Sequence, residues 1–295
     1  MKKHVLIAAF TALLARPALA QMPNDAIYMP KKTICTAVML GQSNWNWYWE
    51  NTLKRENYNI GVHTTQSVNV MAAYGITNRV SLIVNLPYVS TSTSAGNLLG
   101  QKGFQDLSGW VKVNAVQYKG LSLHGIVGVS APLSDYVPNF QPMSIGMGAK
   151  TVSGRVLLNY KHPRTGLYVT THGTYTWRGT IRIDQDAYQA DGRVYNTNKV
   201  AVPNAVDADV RLGILRRTFQ TEVFAERFEC VSGDNIRRND MPFPTNNMQV
   251  TTVGMYARYQ PHKVGVNARG SYVTSGLNMG QSTSFMVGLL YQFHL

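Results

Sequence analysis

The sequence predicts an all-β fold: an antiparallel transmembrane β-barrel of about 12 strands, of the kind found in the outer membrane of Gram-negative bacteria. Three observations lead there. Along 284–295, Phe285, Val287, Leu289, Tyr291, Phe293 and Leu295 alternate with Met286, Gly288, Leu290, Gln292 and His294. That period of two puts an apolar, aromatic-rich set on a single sheet face, as in the strand that closes such a barrel and that the barrel assembly machinery would read. Segments of about 10 alternating residues recur through the chain, each a weak signal alone. The connections between them alternate short and long, which matches tight turns inside the cell and loops outside. A soluble β-sandwich also uses short alternating strands, but neither the loop asymmetry nor the apolar final strand suits it.

Residues 1–20 read as a cleavable secretory leader. Lys2, Lys3 and His4 precede an apolar run over 5–15, and Ala18-Leu19-Ala20 offers a small-residue cleavage site before Gln21. The run is shorter than the roughly 20 residues of a membrane-spanning helix. No cysteine stands at the cleavage point to carry a lipid. Residues 21–295 are then a single barrel domain.

The first strand is expected over 33–49, with Trp45, Trp47 and Trp49 on one face at its far end, where amphipathic rings suit an interfacial girdle. Strands over 67–74 and 79–89 follow, joined by Gly75-Ile76-Thr77-Asn78. In the second, Val80, Leu82, Val84 and Leu86 share a face opposite Ser81 and Asn85. The polar stretch 90–106 reads as an outer loop. Strands over 107–118 and 121–133 meet at Lys119-Gly120, a tight two-residue turn. An outer loop over 134–142 leads to strands over 144–160 and 167–178. The stretch 179–203, with Asp184, Asp186 and Asp191, is a large outer loop with some extended structure. Strands over 204–215 and 219–228 turn at Arg216-Arg217, 230–248 is another outer loop, and strands over 250–259, 264–274 and 282–295 complete the run. An eight-stranded barrel is filled by its own side chains, whereas 16 or more strands leave an aqueous channel. A barrel of about 12 leaves room for a narrow pore, a pocket, or a plug made from the polar residues 21–30.

The chain carries 28 Lys and Arg against 15 Asp and Glu, a net charge of +13. Export and the lack of a compact basic cluster argue against nucleic acid. The short pairs Lys31-Lys32, Arg216-Arg217 and Arg237-Arg238 suit strand ends that meet lipid headgroups or lipopolysaccharide phosphates. Cys35 and Cys230 would sit in an oxidising compartment, yet at opposite ends of rising strands, so the topology argues against their pairing. His63, His124, His162, His172, His262 and His294 are dispersed without a shared carboxylate or cysteine face, so no metal or other cofactor is expected. Ser122 and His124, two apart on a strand, face the same way. This is the layout a membrane-embedded serine hydrolase needs, but no orienting Asn or Asp is evident, and an ordinary lumen pair is expected rather than an enzyme.

Inward-facing polar residues are the better candidates for function. Val206, Ala208, Val210, Leu212 and Ile214 form a lipid face, leaving Asp207, Asp209 and Arg211 inward. An Arg or Lys on the lipid side costs about 2–4 kcal/mol near the midplane, which decides the assignment. By the same reasoning Asn267 and Arg269 point inward, joined by Lys112, Asn114, His172, Arg178, Glu222 and Glu226. Such a lining can be a selectivity constriction or a paired network that only holds the interior together; both readings stand.

The stretch Met71-Ala-Ala-Tyr-Gly-Ile-Thr-Asn-Arg-Val-Ser-Leu, then Leu86-Pro87-Tyr88-Val89 and Gly103-Phe104-Gln105-Asp106-Leu107, resembles the outer-membrane proteins grouped as the MetA-pathway of phenol degradation family. Gln105 stands where a glycine is common in that family. The resemblance implies a transporter-like barrel and brings no catalytic residues. The matching residues have backbone explanations: Gly75 for an unusual φ, Pro87 where a ladder donor is no longer needed. The expected function is a passive channel for small solutes, aromatic or anionic among them. The alternative is a plugged structural barrel whose loops bind partners or lipopolysaccharide.

Overall fold

The computed structural model describes residues 22–238 and 240–295; the expected leader lies outside them. Twelve strands form the barrel: β1 (Thr33–Trp45), β2 (His63–Thr77), β3 (Val80–Thr93), β4 (Asp106–Tyr118), β5 (Leu121–Pro132), β6 (Thr151–Lys161), β7 (Leu167–Arg178), β8 (Ala205–Leu215), β9 (Phe219–Cys230), β10 (Gln249–Tyr259), β11 (Val264–Leu277) and β12 (Thr283–His294). Each pairs antiparallel with its chain neighbours. The sheet closes where β1 meets β12, from Thr33 opposite His294 to Asn44 opposite Thr283. Closure removes the two unpaired edges that an open sheet would expose to lipid.

Alternation decides which side each residue takes. Val38, Leu40, Val210, Leu212, Phe285, Val287 and Leu289 are exposed on the outer surface, while Ser122, His124, Asp209, Arg211, Gln220 and Glu222 are buried inside. An apolar belt running around the barrel is far more than a protein in water leaves uncovered, and a bilayer is the solvent that fits it. The short turns cluster at one end. Lys119 and Gly120 both take positive φ, 45° and 90°, as a two-residue hairpin turn of this twist requires.

Several boundaries differ from expectation. The first strand stops at Trp45; Trp47–Glu50 pairs instead with Leu53–Glu56 in a small hairpin of the outer loop. The three tryptophans therefore do not form a girdle. Trp45 stacks on His63 at 5.0 Å, Trp47 is exposed, and Trp49 is buried against Gly276, where a Cβ would come within 2.7 Å of its ring. β6 begins at Thr151 rather than 144, because 144–150 belongs to the outer loop. The loop over 179–203 holds two short ladders, Thr180–Arg182 with Lys199–Ala201 and Tyr188–Ala190 with Arg193–Tyr195, over a cluster of Ala149, Ile181, Ile183, Val200 and Val202.

Pro87 fits its expected role. Pairing of β3 with β4 ends at Asn85 opposite Ser108, and a separate three-residue strand, Lys102–Phe104, takes over from Tyr88, so the proline lies in the gap. Gly75 does not take a positive φ. It is glycine because a Cβ there would lie 2.2 Å from the carbonyl oxygen of Pro30 and 2.5 Å from that of Met29. Cys35 and Cys230 are both free, near the turn end of β1 and at the loop end of β9. Of the basic pairs, Lys31-Lys32 and Arg216-Arg217 lie at the turn end, and Arg237-Arg238 in an outer loop.

The outer face gives a direct test. Leu289→Arg, near the middle of β12, should destabilise the membrane-embedded barrel by about 2–4 kcal/mol in denaturant unfolding from vesicles, whereas Leu289→Phe should be close to neutral.

Candidate functional site: the lumen and the segment that enters it

Residues 22–30 do not cover the barrel from outside; they rise into the lumen from the turn end. Asp25, Ile27 and Met29 are buried there. Asp25 folds the segment on itself, its carboxylate accepting from the amides of Met22 at 2.7 Å and Ile27 at 2.8 Å. Lys112, midway along β4 and fully buried, then closes on this turn. Its ammonium donates to Asp25 Oδ1 at 2.8 Å and to the carbonyls of Met22 and Ile27, each at 3.1 Å. An ammonium has three donors, and all three go to this segment. Ile27 and Met29 pack on Cys35, Ala37, Met39, Met71, Ala73, Ile83 and Leu290 of the wall.

Tyr28 meets the Ser122 and His124 pair. Its hydroxyl shares a 2.8 Å hydrogen bond with His124 Nδ1, and its ring stacks on the imidazole at 5.3 Å. On the other side His124 Nε2 lies 2.8 Å from Ser122 Oγ, to which Asn159 donates at 3.3 Å. Burial and then the Asp25 carboxylate push the Tyr28 phenol well above its ordinary pKa, so it stays a neutral partner. A hydrolase would need a carboxylate or amide behind that histidine. Here a phenol of the inserted segment occupies that position, and the pair contacts the segment through it.

Further round the wall, seven of the expected lumen residues form one network. Arg211 donates to Asp209, to Glu222 Oε1 at 2.8 Å and to Glu226 Oε1 at 2.7 Å. Glu226 also accepts from Arg269 at 2.7 Å. His172 Nε2 is 2.9 Å from Asp207 Oδ1, and its Nδ1 is in close but poorly aligned contact with Asp209 at 2.6 Å. Phe224 lies beneath both guanidinium groups, 5.3 Å from Arg211 and 4.3 Å from Arg269. Tyr168 donates to Glu222, and Arg155 reaches Thr174 at 2.7 Å and Asp207 at 3.5 Å. Each buried charge of this network thus has a partner of the opposite sign, as the low dielectric demands.

The remaining candidates lie apart. Lys112 is held by the inserted segment. Asn114 sits at the inner mouth next to a bulge, bonded to Gln117 at 3.2 Å. Asn267 is buried beside Arg258, its amide lying over Gly288. Arg178 does not reach His172; it lies at the outer rim, stacked on Phe228 at 5.3 Å.

Arg155, Phe224 and Tyr168 were not anticipated; Asp25 lies in the stretch 21–30 expected as one candidate plug, but its pairing with Lys112 was not foreseen. Arg155 was readable, since Val152, Val156 and Leu158 flank it on the outward face; the polar contacts of 22–30 lie far along the chain and left no periodic signal.

The segment separates two cavities. One, of about 530 Å³, opens toward the turn end and is lined by Tyr28, His124, Gln117 and Lys161 among others. The other, of about 350 Å³, lies beyond it between Asn24, Arg155, His172, Arg227 and Arg269. A wider space of about 1220 Å³ is framed by the outer loops, with Arg178, Tyr188, Asp234, Arg237 and Arg238 on its walls.

No family model matches the chain, and no curated protein sequence matches it. Its fold is similar to that of an outer membrane channel from Pseudomonas putida F1, with a TM-score of 0.73 and 14% identity, over 93% of this chain and 100% of that one. It is also similar to the translocator domain of the autotransporter NalP from Neisseria meningitidis, with a TM-score of 0.52 and 12% identity over 98% and 96% of the two chains. At these identities the shared property is the closed barrel.

Arg211 is the centre of the network: removing it leaves Glu222 without a cation and Asp209 with only the poorly aligned His172, while Glu226 keeps Arg269. Arg211→Met should cost about 3–5 kcal/mol in denaturant unfolding, as breaking a buried pair does. Combining it with Asp209→Asn and Glu222→Gln should recover much of that loss.

Proposed function

We propose that the chain is a transporter-like, passive channel of the bacterial outer membrane for small polar solutes, stoppered from its turn end by residues 22–30. One observation carries this reading. What fills the lumen between the two cavities is the segment ahead of β1, held mainly through one lysine, one histidine and a patch of apolar contacts. A barrel of 12 strands is too wide to be filled by its own wall alone, so the segment is a separate filling. A stopper joined to the wall at a few points can leave without unmaking a strand.

The lining supports a polar cargo. Along the path beyond the segment a solute meets Arg155, His172, Asp207, Arg227 and Arg269 rather than a run of aliphatic side chains. Charges of both signs let it select by paired hydrogen bonds more than by net charge. On this reading the outer loops face the lipopolysaccharide side, where Arg237-Arg238 is placed to meet phosphates, and Lys31-Lys32 and Arg216-Arg217 meet headgroups of the inner leaflet. The final strand, β12, is the part offered to the assembly machinery.

Liposome swelling tests the reading. Vesicles containing the refolded protein should admit small sugars and organic acids faster than empty vesicles. Arg269→Ala, which leaves Glu226 half-paired on the path, should slow anions relative to neutral solutes. Folded protein that admits nothing would point instead to a permanently filled barrel that works through its loops.

A further inference from the structure

One charge in the lumen has no partner. Arg258 lies near the turn end of β10, is 2% exposed, and none of Nε, Nη1 or Nη2 finds a hydrogen-bond acceptor among the described residues. Its ladder neighbours are Gln220 on β9 and Asn267 on β11, both neutral amides. Gln220 is already committed to Tyr168 at 3.0 Å and to Glu222 at 3.2 Å. Glu222 in turn is taken by Arg211 and Tyr168. Gln260, two residues on from Arg258, leaves its own Oε1 without a partner.

A buried lysine in this position could shed its proton. A guanidinium cannot, so its charge persists wherever the fold places it. Every other buried cation of the lumen has a carboxylate: Lys112 has Asp25, and Arg211 has Asp209 and Glu222. A planar fork with no acceptor is the group best matched to a carboxylate, which it can bind through two parallel bonds. A single cation flanked by amides suits one negative charge better than two. The wall beside it is capped by the inserted segment, since Ile27 and Met29 pack on Cys35 and Leu290, and Leu290 pairs with Gly265 on the strand next to β10.

We infer that Arg258 is the binding group for the carboxylate of a small organic acid, reached when residues 22–30 withdraw. The inference rests on the stoppered-channel reading and names its solute class. A carboxylate that binds only the withdrawn state must also favour that state, by as much as its affinities for the two differ. The solute therefore helps to open its own path.

Cys35 reports the movement, because it is buried beneath Ile27 and Met29. The experiment uses the full mature chain carrying Cys230→Ser, refolded in detergent, and follows the rate of Cys35 alkylation by N-ethylmaleimide in sodium acetate and in sodium chloride at equal ionic strength. Acetate should speed labelling roughly tenfold over chloride, a usual size for such coupling. Arg258→Gln should abolish the difference, and Arg258→Lys, which keeps the charge and loses the fork, should retain a smaller one. Equal rates in the two salts, or a difference that survives Arg258→Gln, would overturn the anion site while leaving the stopper in place. A Cys35 that never reacts in any salt or variant would mean that the segment does not leave, and the stopper reading would fall with the inference.

Discussion

The Lys112 ammonium is the constraint to which the interior answers. It sits midway along β4, sealed from water, and its three protons are met only by residues 22–27. Breaking a buried ion pair by removing one partner typically costs about 3–5 kcal/mol. The wall supplies no carboxylate to Lys112, so the segment is its counter-charge as well as the lumen's filling. Asp25 does both jobs at once, folding the segment through the Met22 and Ile27 amides and neutralising the lysine. Gly75 keeps the path clear where the backbone of Met29 and Pro30 crosses the inner face of β2.

The rest of the lumen is organised differently. Between β7, β8, β9 and β11 the charges satisfy one another, with Arg211 joining Asp209, Glu222 and Glu226, and Arg269 closing the chain. That belt would survive departure of the segment, because none of its ion pairs involves residues 22–30. The two halves of the interior thus divide the work. One wall is complete in itself and gives a fixed, hydrogen-bonding surface, while the wall around Lys112 and His124 is completed by residues 22–30, which on the proposed reading withdraw. In the withdrawn state Lys112 and Arg258 would both face water and any solute.

Strand periodicity made most of the barrel legible before any coordinates. Phe285 to Leu295 read as lipid-facing at alternate positions, Lys119-Gly120 as a tight turn, and Asp207, Asp209 and Arg211 as inward, because a two-residue period and the cost of a charge in lipid are local rules. The reading failed where local rules do not decide. Trp47 and Trp49 continue the alternation of β1, yet they belong to a loop hairpin fixed by Leu53–Glu56 and by contacts with Gly276 and Met279. Residues 144–150 read as strand and are held as loop by the outer cluster. Gly75 resembled a turn glycine, and only the path of Met29 and Pro30 shows why a side chain is excluded. Which inward residues touch one another was likewise invisible, since their contacts depend on strand register and on reach across more than one strand, as from Arg269 on β11 to Glu226 on β9, and the inserted segment lies far from its partners in the chain.

The most direct measurement is the single-channel record of Asp25→Asn beside the natural sequence in planar bilayers. Neutralising Asp25 removes the charge that ties the segment to Lys112 while leaving every strand and the Arg211 belt untouched. If that tie holds the lumen shut, the natural protein stays closed with brief openings, and Asp25→Asn spends a much larger fraction of time open at the same unit conductance. Identical open fractions in the two proteins would contradict it, and would mean that the segment is not what closes the path.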